Sequence, residues 1–513
     1  MAEARQPLES FWSASSDECE AGDDVLIQIN SLVRPDVPRT IVRNLRLFSL
    51  MALFMLGACS SLSVPMNKPL RSAAGNIEYR LFDANRMGGA ESALVLVALS
   101  GGGKRSAAFA HGVLRGMRDI HVQPEGRDDT LLNEIDLLAG VSGGAFAAAH
   151  FGLYGEASFA TFPAEFLYPD IEAYIWGTFL LPWNWDWLVN PLVGTNDRMT
   201  EVYDRLMYHG ATFADLARRG RPQVSINATD ISFGRPFGFL PQTFDVICSD
   251  LASVPIARAV AASNGLPVLF GPVTLRSYRG PECPLPPGVP PRAGEGAQDD
   301  LRARALFETL QRYSDPEQVQ WVHLMDGGIS DNLALRVLLN DALLMEAQTD
   351  RFTAGLLPIR RLLVISVNAE APPNPSWPQQ RVVSGLGQIV SAATGAQISA
   401  YNLETQIALE DTVEDLVNKL RRVRCRSGNT ISGHRCDDVA GKVLRINLAD
   451  FDEPEIRGRL LAVRTGLTLP RDQVDELIAI GEAMIRRNAE AITRFLQPLP
   501  IGGYRNPQAL AGQ

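Results

Sequence analysis

Cysteine and histidine are scarce in this chain, and neither is grouped as a metal site or a disulfide scaffold requires. Six cysteines are spread over 513 residues without a CxxC pair, and the six histidines are equally scattered. Disulfide-based scaffolds carry a much denser set of cysteines. Only His434 has a cysteine near it, Cys436, and one such pair is too few ligands for zinc. The sequence therefore predicts no metal site.

Positive charge is also in short supply. Lysine and arginine number 48 against 58 acidic residues, which gives a formal net charge of -10 at pH 7. Because nucleic-acid-binding proteins normally carry a basic face, we expect no nucleic-acid partner. The hydrophobic share of 46% and the charged share of 21% are those of an ordinary globular protein. A chain of this length can bury a large core in more than one domain.

The apolar run at residues 47–58, LFSLMALFMLGA, is short for a transmembrane helix, which needs roughly 20 apolar residues. Arginines precede it, and a basic flank before a short apolar run is typical of a secretory signal. The run ends in Leu56-Gly57-Ala58-Cys59, which resembles a bacterial lipobox with an acylated cysteine. We therefore expect lipidation at Cys59. A buried or interfacial helix with an incidental cysteine is the alternative.

Residues 1–38 fit this interpretation badly, because signal peptides seldom carry so long and so acidic a leader. Either the true start lies downstream of Met1, or the signal is internal and atypical. With a leader and signal at 1–58, the mature chain starts at Cys59 and continues as a tether to residue 91. Ser60 lacks the acidic character that retains many bacterial lipoproteins in the inner membrane. We expect a lipoprotein of the cell envelope, with the outer membrane favoured; a cytoplasmic or peripheral membrane protein is the alternative.

Beyond residue 92, strand-like apolar runs alternate with helical stretches, which predicts a layered α/β fold. Several runs are apolar throughout, as in a mostly parallel sheet covered on both faces. The predicted strands are Ala93–Leu99, Glu134–Ala139, Gln223–Thr229, Thr243–Ile247, Gln320–Met325 and Arg361–Val367. Breaks rich in proline separate a main domain at 92–370 from a mainly helical region at 371–513. In that region we predict helices at 383–412 and 471–496, and Cys425 and Cys436 could pair in an oxidising compartment.

Residues 135–149, IDLLAGVSGGAFAAA, join an apolar strand to a helix of small residues through a tight turn. The turn carries a GxSxG motif, from Gly140 to Gly144, in the strand–turn–helix setting of a nucleophile elbow. Glycines give the strained turn room, and the following helix directs its positive end towards developing negative charge. The pattern predicts Ser142 as a nucleophile. A glycine-rich turn that merely packs against a helix is the alternative.

A second glycine-rich segment, Gly101-Gly102-Gly103, follows the first predicted strand and precedes a helical stretch. Its backbone N–H groups can converge on an anion. A P-loop is excluded, because Arg105 follows Lys104 where serine or threonine is needed. A GxGxxG dinucleotide loop is excluded too, since Ser106 replaces the last glycine. We interpret the segment as an oxyanion loop and expect no cofactor; a plain turn between strand and helix is the alternative.

The segment QWVHLMDGGISDN at 320–332 places Asp326 at a strand end, where Gly327 and Gly328 allow close approach. A free aspartate, with a pKa near 4, is a weak base at neutral pH, but partial burial raises the pKa. We predict Asp326 as the base for Ser142. His434 follows in the Ser…Asp…His order of α/β-hydrolases, although no strand precedes it. A triad with His434 remains the alternative.

Taken together, the motifs GGGKR (101–105), GVSGG (140–144) and DGG (326–328) resemble the patatin-like phospholipases in type and order. Two further stretches, NATD at 227–230 and ASNGLPVLF at 262–270, are similar to the same family. The resemblance covers residues 92 to about 370. It implies a three-layer α/β/α core, with a carboxy-terminal helical appendage beside it, and hydrolysis of acyl-lipid esters by a Ser–Asp dyad without histidine.

By this resemblance, Ser142 attacks the acyl carbonyl and Asp326 takes its proton. The Gly101–Gly103 backbone holds the oxyanion, and Arg105 shapes the loop. The departure is Ser106, where the family usually has glycine. A histidine-dependent esterase and an inactive lipid-binding or scaffold lipoprotein are the competing functions.

An aromatic insert lies at residues 171–193. It holds four of the seven tryptophans of the chain, namely Trp176, Trp183, Trp185 and Trp187. Such rings favour the interface between membrane and water. We expect a membrane phospholipid or another acyl lipid as partner, with this insert at the bilayer surface. A second small core or a protein contact would explain the insert equally well.

Overall fold

The computed structural model describes residues 66–71, 92–124, 127–180, 194–265, 270–283, 301–340, 357–371, 377–379, 381, 385–431 and 433–497. All of them belong to one compact unit. The predicted signal at 1–58, Cys59, most of the tether, and Trp183, Trp185 and Trp187 lie outside the described residues. Among the helices that are described, none is both long enough and apolar enough to span a bilayer.

An eight-stranded sheet forms the centre of the molecule. In chain order its strands are β1 Ala93–Leu99, β2 Ile135–Val141, β3 Gln223–Asp230, β4 Arg235–Gly238, β5 Val273–Arg276, β6 Trp321–Met325, β7 Arg361–Asn368 and β8 Ala440–Asn447. The spatial order is β8-β7-β1-β2-β3-β6-β5, and β4 also pairs with β3.

The first five strands of that order run parallel, so their carboxyl ends meet at one edge of the sheet. Strands β4 and β6 are antiparallel to β3, and β5 is antiparallel to β6. Two-residue strands pair outside this sheet: Lys68–Pro69 with Ser249–Asp250, His121–Val122 with Asp129–Thr130, and Thr430–Ile431 with His434–Arg435.

The α-helices connect and cover these strands. In chain order they are α1 Gly103–Met117, α2 Gly143–Tyr154, α3 Ser158–Phe162, α4 Ile171–Leu180, α5 Thr195–Tyr203, α6 Phe213–Arg219, α7 Pro241–Val246, α8 Ile256–Ser263, α9 Leu301–Tyr313, α10 Gly328–Asp331, α11 Leu386–Ser427, α12 Pro454–Ala462, α13 Arg471–Arg487 and α14 Ala489–Leu496. Short 3-10 turns at Gly155–Ala157, Leu251–Ser253, Trp377–Gln379 and Leu448–Asp450, and π-helical turns at Pro163–Leu167 and Asp204–Tyr208, complete the set.

Alternation of side chains along the strands produces three layers. In β1, Val95, Val97 and Leu99 join the apolar cluster that contains α1, α2 and α13. Leu94 and Ala98 point to the opposite face and join the cluster of α11. Because successive residues of a strand face opposite sides, a strand that is apolar throughout is buried on both. The predicted α/β/α core is confirmed.

Most predicted strands agree with the structure, but the strand predicted at Thr243–Ile247 is wrong. Its residues belong mainly to α7, which begins with Pro241 in the first helical position. Proline suits the first helical position, because the N–H group that proline lacks would have no partner within the helix there. Short apolar runs do not distinguish strand from helix. Strands β4, β5 and β8 were not predicted at all.

The carboxy-terminal helices predicted from the sequence are present, and that region also contributes a strand to the main sheet. Strand β8 pairs with β7 along its full length. Helix α13 packs closely against α1. A Cβ added to Gly112 of α1 would lie only 2.1 Å from the carbonyl oxygen of Ile478 in α13. Disulfide bonds join Cys425 to Cys436, the pair that the sequence suggested, and Cys248 to Cys283.

Candidate active site

Ser142 lies at the carboxyl end of β2, on the tight turn before α2. Its φ of 51° is in the left-handed region, which costs energy for a residue other than glycine. The backbone N–H of Ser142 donates to Ser263 Oγ at 2.8 Å. That bond fixes the turn from the side of α8. The geometry is that of a nucleophile elbow, as the GxSxG pattern predicts.

The glycines beside Ser142 are required by close packing of two backbone segments. A Cβ on Gly143 would lie 2.0 Å from the carbonyl oxygen of Gly103, and one on Gly144 would lie 2.4 Å from that of Leu99. Real Cβ atoms do not approach backbone oxygens so closely. The turn after β2 therefore rests directly on the glycine loop, Gly101–Gly103, that follows β1.

Asp326 follows β6, and its side chain contacts Ser142. Its Oδ2 atom accepts a hydrogen bond of 3.1 Å from Ser142 Oγ, and its Oδ1 accepts one of 2.8 Å from the N–H of Gly328. Burial raises the pKa of the Asp326 carboxyl to about 6, although the Gly328 and Ser142 bonds lower it. A carboxylate with this pKa is a usable proton acceptor at neutral pH.

Gly327 is also needed for close packing at this site. A Cβ on Gly327 would lie 2.3 Å from the carbonyl oxygen of Asn227, in the NATD stretch. The N–H of Asp326 donates to Gly265 at 3.0 Å, and that of Gly327 donates to Ser263 at 3.1 Å. The DGG and ASNGLPVLF stretches are therefore hydrogen-bonded to each other around Ser142.

The glycine loop borders Ser142 on its third side. A Cβ added to Gly101 would lie 3.2 Å from Ser142 Cβ, so a side chain at this position would crowd the nucleophile. Gly102 and Gly103 have φ values of 137° and 60°. Within the described part of the chain, the N–H groups of Gly102 and Gly103 donate to no backbone carbonyl. Two such donors at the start of α1 can bind an oxyanion.

The basic residues of GGGKR hold this loop to distant parts of the chain. Arg105 donates to the carbonyl oxygens of Ala369 at 2.9 Å and Val463 at 2.6 Å. The backbone N–H of Lys104 donates to Gly466 at 2.8 Å. Burial lowers the pKa of Arg105 to about 10 and that of Lys104 to about 8. The Lys104 ammonium donates to the carbonyl oxygen of Pro169, so both side chains make charge-assisted bonds to carbonyl acceptors.

Ser106 occupies the position where the sequence departs from the family pattern. Its hydroxyl donates to the carbonyl oxygen of Ser100, across the base of the glycine loop. The N–H of Ser106 donates to Gly102 at 3.5 Å. The serine therefore closes the loop with a hydrogen bond that glycine lacks.

The alternative base His434 and two other histidines, His323 and His150, make other contacts. His323 bonds to Thr274 at 3.1 Å. His150 bonds to Ser158 and Glu165, at 2.8 and 2.9 Å. His434 lies in a two-residue strand after α11, and the recorded hydrogen bonds of Ser142 Oγ go to Asp326 and Asn264. The described structure brings Ser142 and Asp326 together and gives no histidine a bond to either.

Three residues at this site were not singled out from the sequence. Asn264 contacts Ser142 Oγ at 3.2 Å through Oδ1, and Ser263 supports the Ser142 backbone. The carbonyl oxygen of Asn332 accepts the N–H of Gly101 at 2.9 Å. Asn264 and Ser263 lie in the ASNGLPVLF stretch, whose likeness to the family was noted without a role for either residue.

Known proteins include one matching family and several similar solved structures. The chain matches the family described as patatin-like phospholipase over residues 97–339. Among solved structures it is similar to human GIVD cytosolic phospholipase A2, with 11% identity over 82% of this chain and 63% of that chain and a TM-score of 0.41. The same enzyme in complex with methyl gamma-linolenyl fluorophosphonate gives 11% identity over 82% and 62%, with a TM-score of 0.36.

The chain thus spans a little under two thirds of the length of these structures. No curated protein sequence matches it. The family match contains the glycine loop, Ser142 and Asp326, and its motifs are those that meet at the carboxyl edge of the sheet. The chain therefore carries a patatin-like phospholipase domain at residues 97–339.

Proposed function

We propose that the protein hydrolyses carboxyl esters of acyl lipids, with Ser142 as nucleophile and Asp326 as base. The observation that carries this proposal is the 3.1 Å contact between Ser142 Oγ and Asp326 Oδ2 on a strained elbow. Burial strengthens the base, because it raises the pKa of Asp326 to about 6. The phospholipase family of the domain supports an acyl lipid as the substrate.

In the first step, the Ser142 O–H bond breaks, its proton passes to Asp326, and Oγ bonds to the acyl carbonyl carbon. The electron pair of the carbonyl moves to its oxygen, where the N–H groups of Gly102 and Gly103 lie at the start of α1. Return of the proton to the leaving oxygen releases the alcohol and leaves an acyl-enzyme. Asp326 then takes a proton from water while the water oxygen bonds to the acyl carbon. The bond from that carbon to Oγ breaks, the proton passes from Asp326 to Oγ, and the fatty acid leaves.

Two exposed apolar surfaces next to the site support a membrane as the source of substrate. On α4, Tyr174 and Trp176 are exposed by 54% and 62%. Glu172 of the same helix accepts the N–H of Leu467 at 2.9 Å, so α4 is tied to the segment that binds Lys104. This places an aromatic face close to the glycine loop. Aromatic rings of this kind suit the bilayer surface.

Helix α11 supplies the second surface. Arg421 bonds to Val439 before β8 begins, whereas Asn402 bonds to Glu370 after β7 ends. The helix therefore runs along the length of β7 and β8, and its first residues, 386–401, extend about 24 Å past the carboxyl edge that holds Ser142. Between Arg381 and Glu404 the sequence has no charged residue. An uncharged helix beyond the site is suited to a lipid surface.

The cell envelope is the location that we propose, with the lipobox-like Cys59 as the anchor. The two disulfides support an oxidising compartment, because thiols in the cytosol are normally kept reduced. An acylated Cys59 would keep the enzyme at the membrane even when α4 and α11 release it. Intact mass of the membrane-bound protein, compared with Cys59→Ala, tests this part separately.

Active-site labelling tests the proposed activity before any lipid is chosen. The purified protein is treated with a fluorophosphonate probe and assayed on a panel of phospholipids, lysophospholipids and neutral acyl esters. We expect labelling and hydrolysis for the native chain and for His434→Ala, and loss of both for Ser142→Ala. Asp326→Asn should lose nearly all turnover while it keeps its fold. Activity that survives in Ser142→Ala but fails in His434→Ala would replace the dyad with a different centre.

A further inference from the structure

Asn264 connects the nucleophile to a buried tyrosine. Its Oδ1 atom lies 3.2 Å from Ser142 Oγ, and its Nδ2 atom lies 3.0 Å from Tyr203 OH. Ser142 Oγ is in turn 3.1 Å from Asp326 Oδ2. All four side chains are buried. They form one unbranched chain of hydrogen bonds that ends at the base.

The hydrogen bonds from Tyr203 through Asn264 and Ser142 to Asp326 can be donated in two alternative directions, and the number of protons distinguishes them. A serine hydroxyl has a single proton, yet in the orientation above both Asn264 Oδ1 and Asp326 Oδ2 accept from it. Tyr203 OH uses its oxygen as an acceptor, and within the described residues its own proton has no acceptor. The oxygen and the nitrogen of an asparagine amide occupy equivalent positions, so hydrogen bonding alone decides which position holds which atom.

A half turn of the Asn264 amide removes both problems without moving any other atom. Tyr203 O–H then donates to Oδ1, Nδ2 donates to Ser142 Oγ, and Ser142 donates to Asp326. The Tyr203 O–H, one Asn264 N–H and the Ser142 O–H then each have one acceptor, and the same two distances serve. An unmade hydrogen bond in a buried site costs about 1 to 3 kcal/mol, so this direction is the more stable one.

We propose that Asn264 is a hydrogen-bond donor to Ser142 Oγ, held in that orientation by Tyr203, and that it thereby commits the only proton of the serine to Asp326. This inference rests on the proposed dyad. When the proton moves to Asp326, negative charge develops on Oγ, and the Asn264 N–H already points at it. Asn264 is then a catalytic residue, because it touches the reacting atom, and Tyr203 is a positioning residue.

Variants at position 264 distinguish a donor from an acceptor or a spacer. Asn264→Leu removes the bond and should lower kcat/KM at least tenfold. Asn264→Asp keeps the shape and can donate only while its carboxyl holds a proton. Its kcat/KM should therefore fall as the pH rises, whereas the native enzyme should reach a plateau. Asn67→Leu, which also removes a buried and fully bonded amide, is the matched control and should keep native activity per folded molecule.

Tyr203→Phe tests the direction of the chain. It should lower kcat/KM, and the double variant Tyr203→Phe/Asn264→Leu should be no slower than Asn264→Leu alone, because both changes break one connected unit. An Asn264→Asp enzyme with the native plateau at high pH would show that position 264 accepts from Ser142. Native activity in Asn264→Leu would show that it only fills space.

Fluorophosphonate labelling separates a failure of this inference from a failure of the proposed dyad. If the native chain is labelled and Ser142→Ala is not, the dyad stands and the variants at 264 decide the role of Asn264. If the native chain neither reacts nor hydrolyses any ester, the proposed activity is wrong and the inference falls with it. Melting curves of all variants confirm that the folded fraction is comparable.

Discussion

The carboxyl group of Asp326 is buried, and burial raises its pKa. Its hydrogen bonds from Gly328 and Ser142 lower the pKa by a smaller amount. The result is a pKa of about 6 in the folded protein, against an ordinary value of 3.8. A raised carboxyl pKa makes a better base, and it also makes the folded state less stable when the group is charged. Both effects are measurable.

We expect kcat/KM to rise with pH through about 6 and to level off near neutrality. The base must be unprotonated to accept from Ser142, so at pH 5 only about a tenth of the molecules are competent. Rates on a soluble ester from pH 4.5 to 8 measure this, with circular dichroism at each pH as the control for folding. A break near pH 4 would mean that Asp326 behaves as a solvated carboxylate.

Asp326→Asn should change how stability depends on pH. In the native chain the raised pKa means that the folded state holds this proton more tightly than the unfolded state. Stability from this group is therefore present below the unfolded pKa and is lost as pH rises through about 6. The amide carries no charge at any pH. The melting temperature of Asp326→Asn minus that of the native protein should therefore increase from pH 4 to pH 7; a constant difference would contradict this.

At the residue scale, the sequence was informative wherever a motif needed one residue type. Ser142, Asp326 and the glycine loop could be predicted because strained turns and close backbone approach admit few residues. Asn264 and Ser263 could not be given roles, because buried amides and hydroxyls occur in every protein. Their function depends on which distant atoms they meet, here Ser142 and Tyr203.

Among the elements, the crossing of α1 and α13 decides how the glycine loop is supported. Gly112 of α1 and Gly481 of α13 allow the two helices to touch backbone to backbone. The place of a Cβ on Gly481 is 2.4 Å from the carbonyl oxygen of Phe109. Since α1 begins at Gly103, a displaced α1 moves the loop as well.

We expect Gly112→Val to lower the melting temperature strongly and to reduce activity of the remaining folded protein. Overpacking of this kind costs about 1 to 3 kcal/mol, and the β-branched side chain meets backbone that cannot move aside. Gly458→Ala in α12 is the control, because no atom lies within 4 Å of the added Cβ. It should be neutral or raise stability by up to about 1 kcal/mol. Thermal unfolding of the two variants compares them directly.

Charge placed on the projecting part of α11 tests its proposed contact with lipid. Ile389→Glu should weaken binding to phospholipid vesicles and slow hydrolysis of vesicle lipid, because Ile389 is an exposed residue of that part. Hydrolysis of a soluble short-chain ester should stay native, because the change is outside the dyad. Leu301→Glu, at an exposed leucine on α9, is the control. Equal loss on the soluble and vesicle substrates would show that α11 acts on the site and not on the membrane.

At the scale of helices and strands, the predictions from sequence failed where the pattern of apolar residues did not match the burial of the element. The apolar run at 243–247 follows Pro241, and the start of a helix there could have been recognised from that proline. Strand β8 has a mixed pattern, AGKVLRIN, because it lies at the sheet edge, where its burial is incomplete. Its membership in the sheet depends on β7, a neighbour that is far away in the sequence.

For the whole molecule, the catalytic motifs and the supporting elements come from different parts of the chain. The patatin-like match ends at residue 339, yet β7, β8 and α13 lie beyond it. A fragment of residues 92–370 should therefore be insoluble or molten, since it lacks β8 on β7 and α13 on α1. A fragment of 64–497 should unfold cooperatively and label with fluorophosphonate. Expression of both fragments and their near-UV circular dichroism decide this.

The protein is made from its amino end, and this order has a consequence for the loop held by Arg105. The loop is complete only when Ala369, Val463 and Gly466 are in place as acceptors, and the contact to Val463 spans 358 positions of sequence. A nascent chain contains Ser142 long before it can form the oxyanion site that we propose. We therefore expect the proposed hydrolysis to begin only after the segment with Val463 and Gly466 has been synthesised.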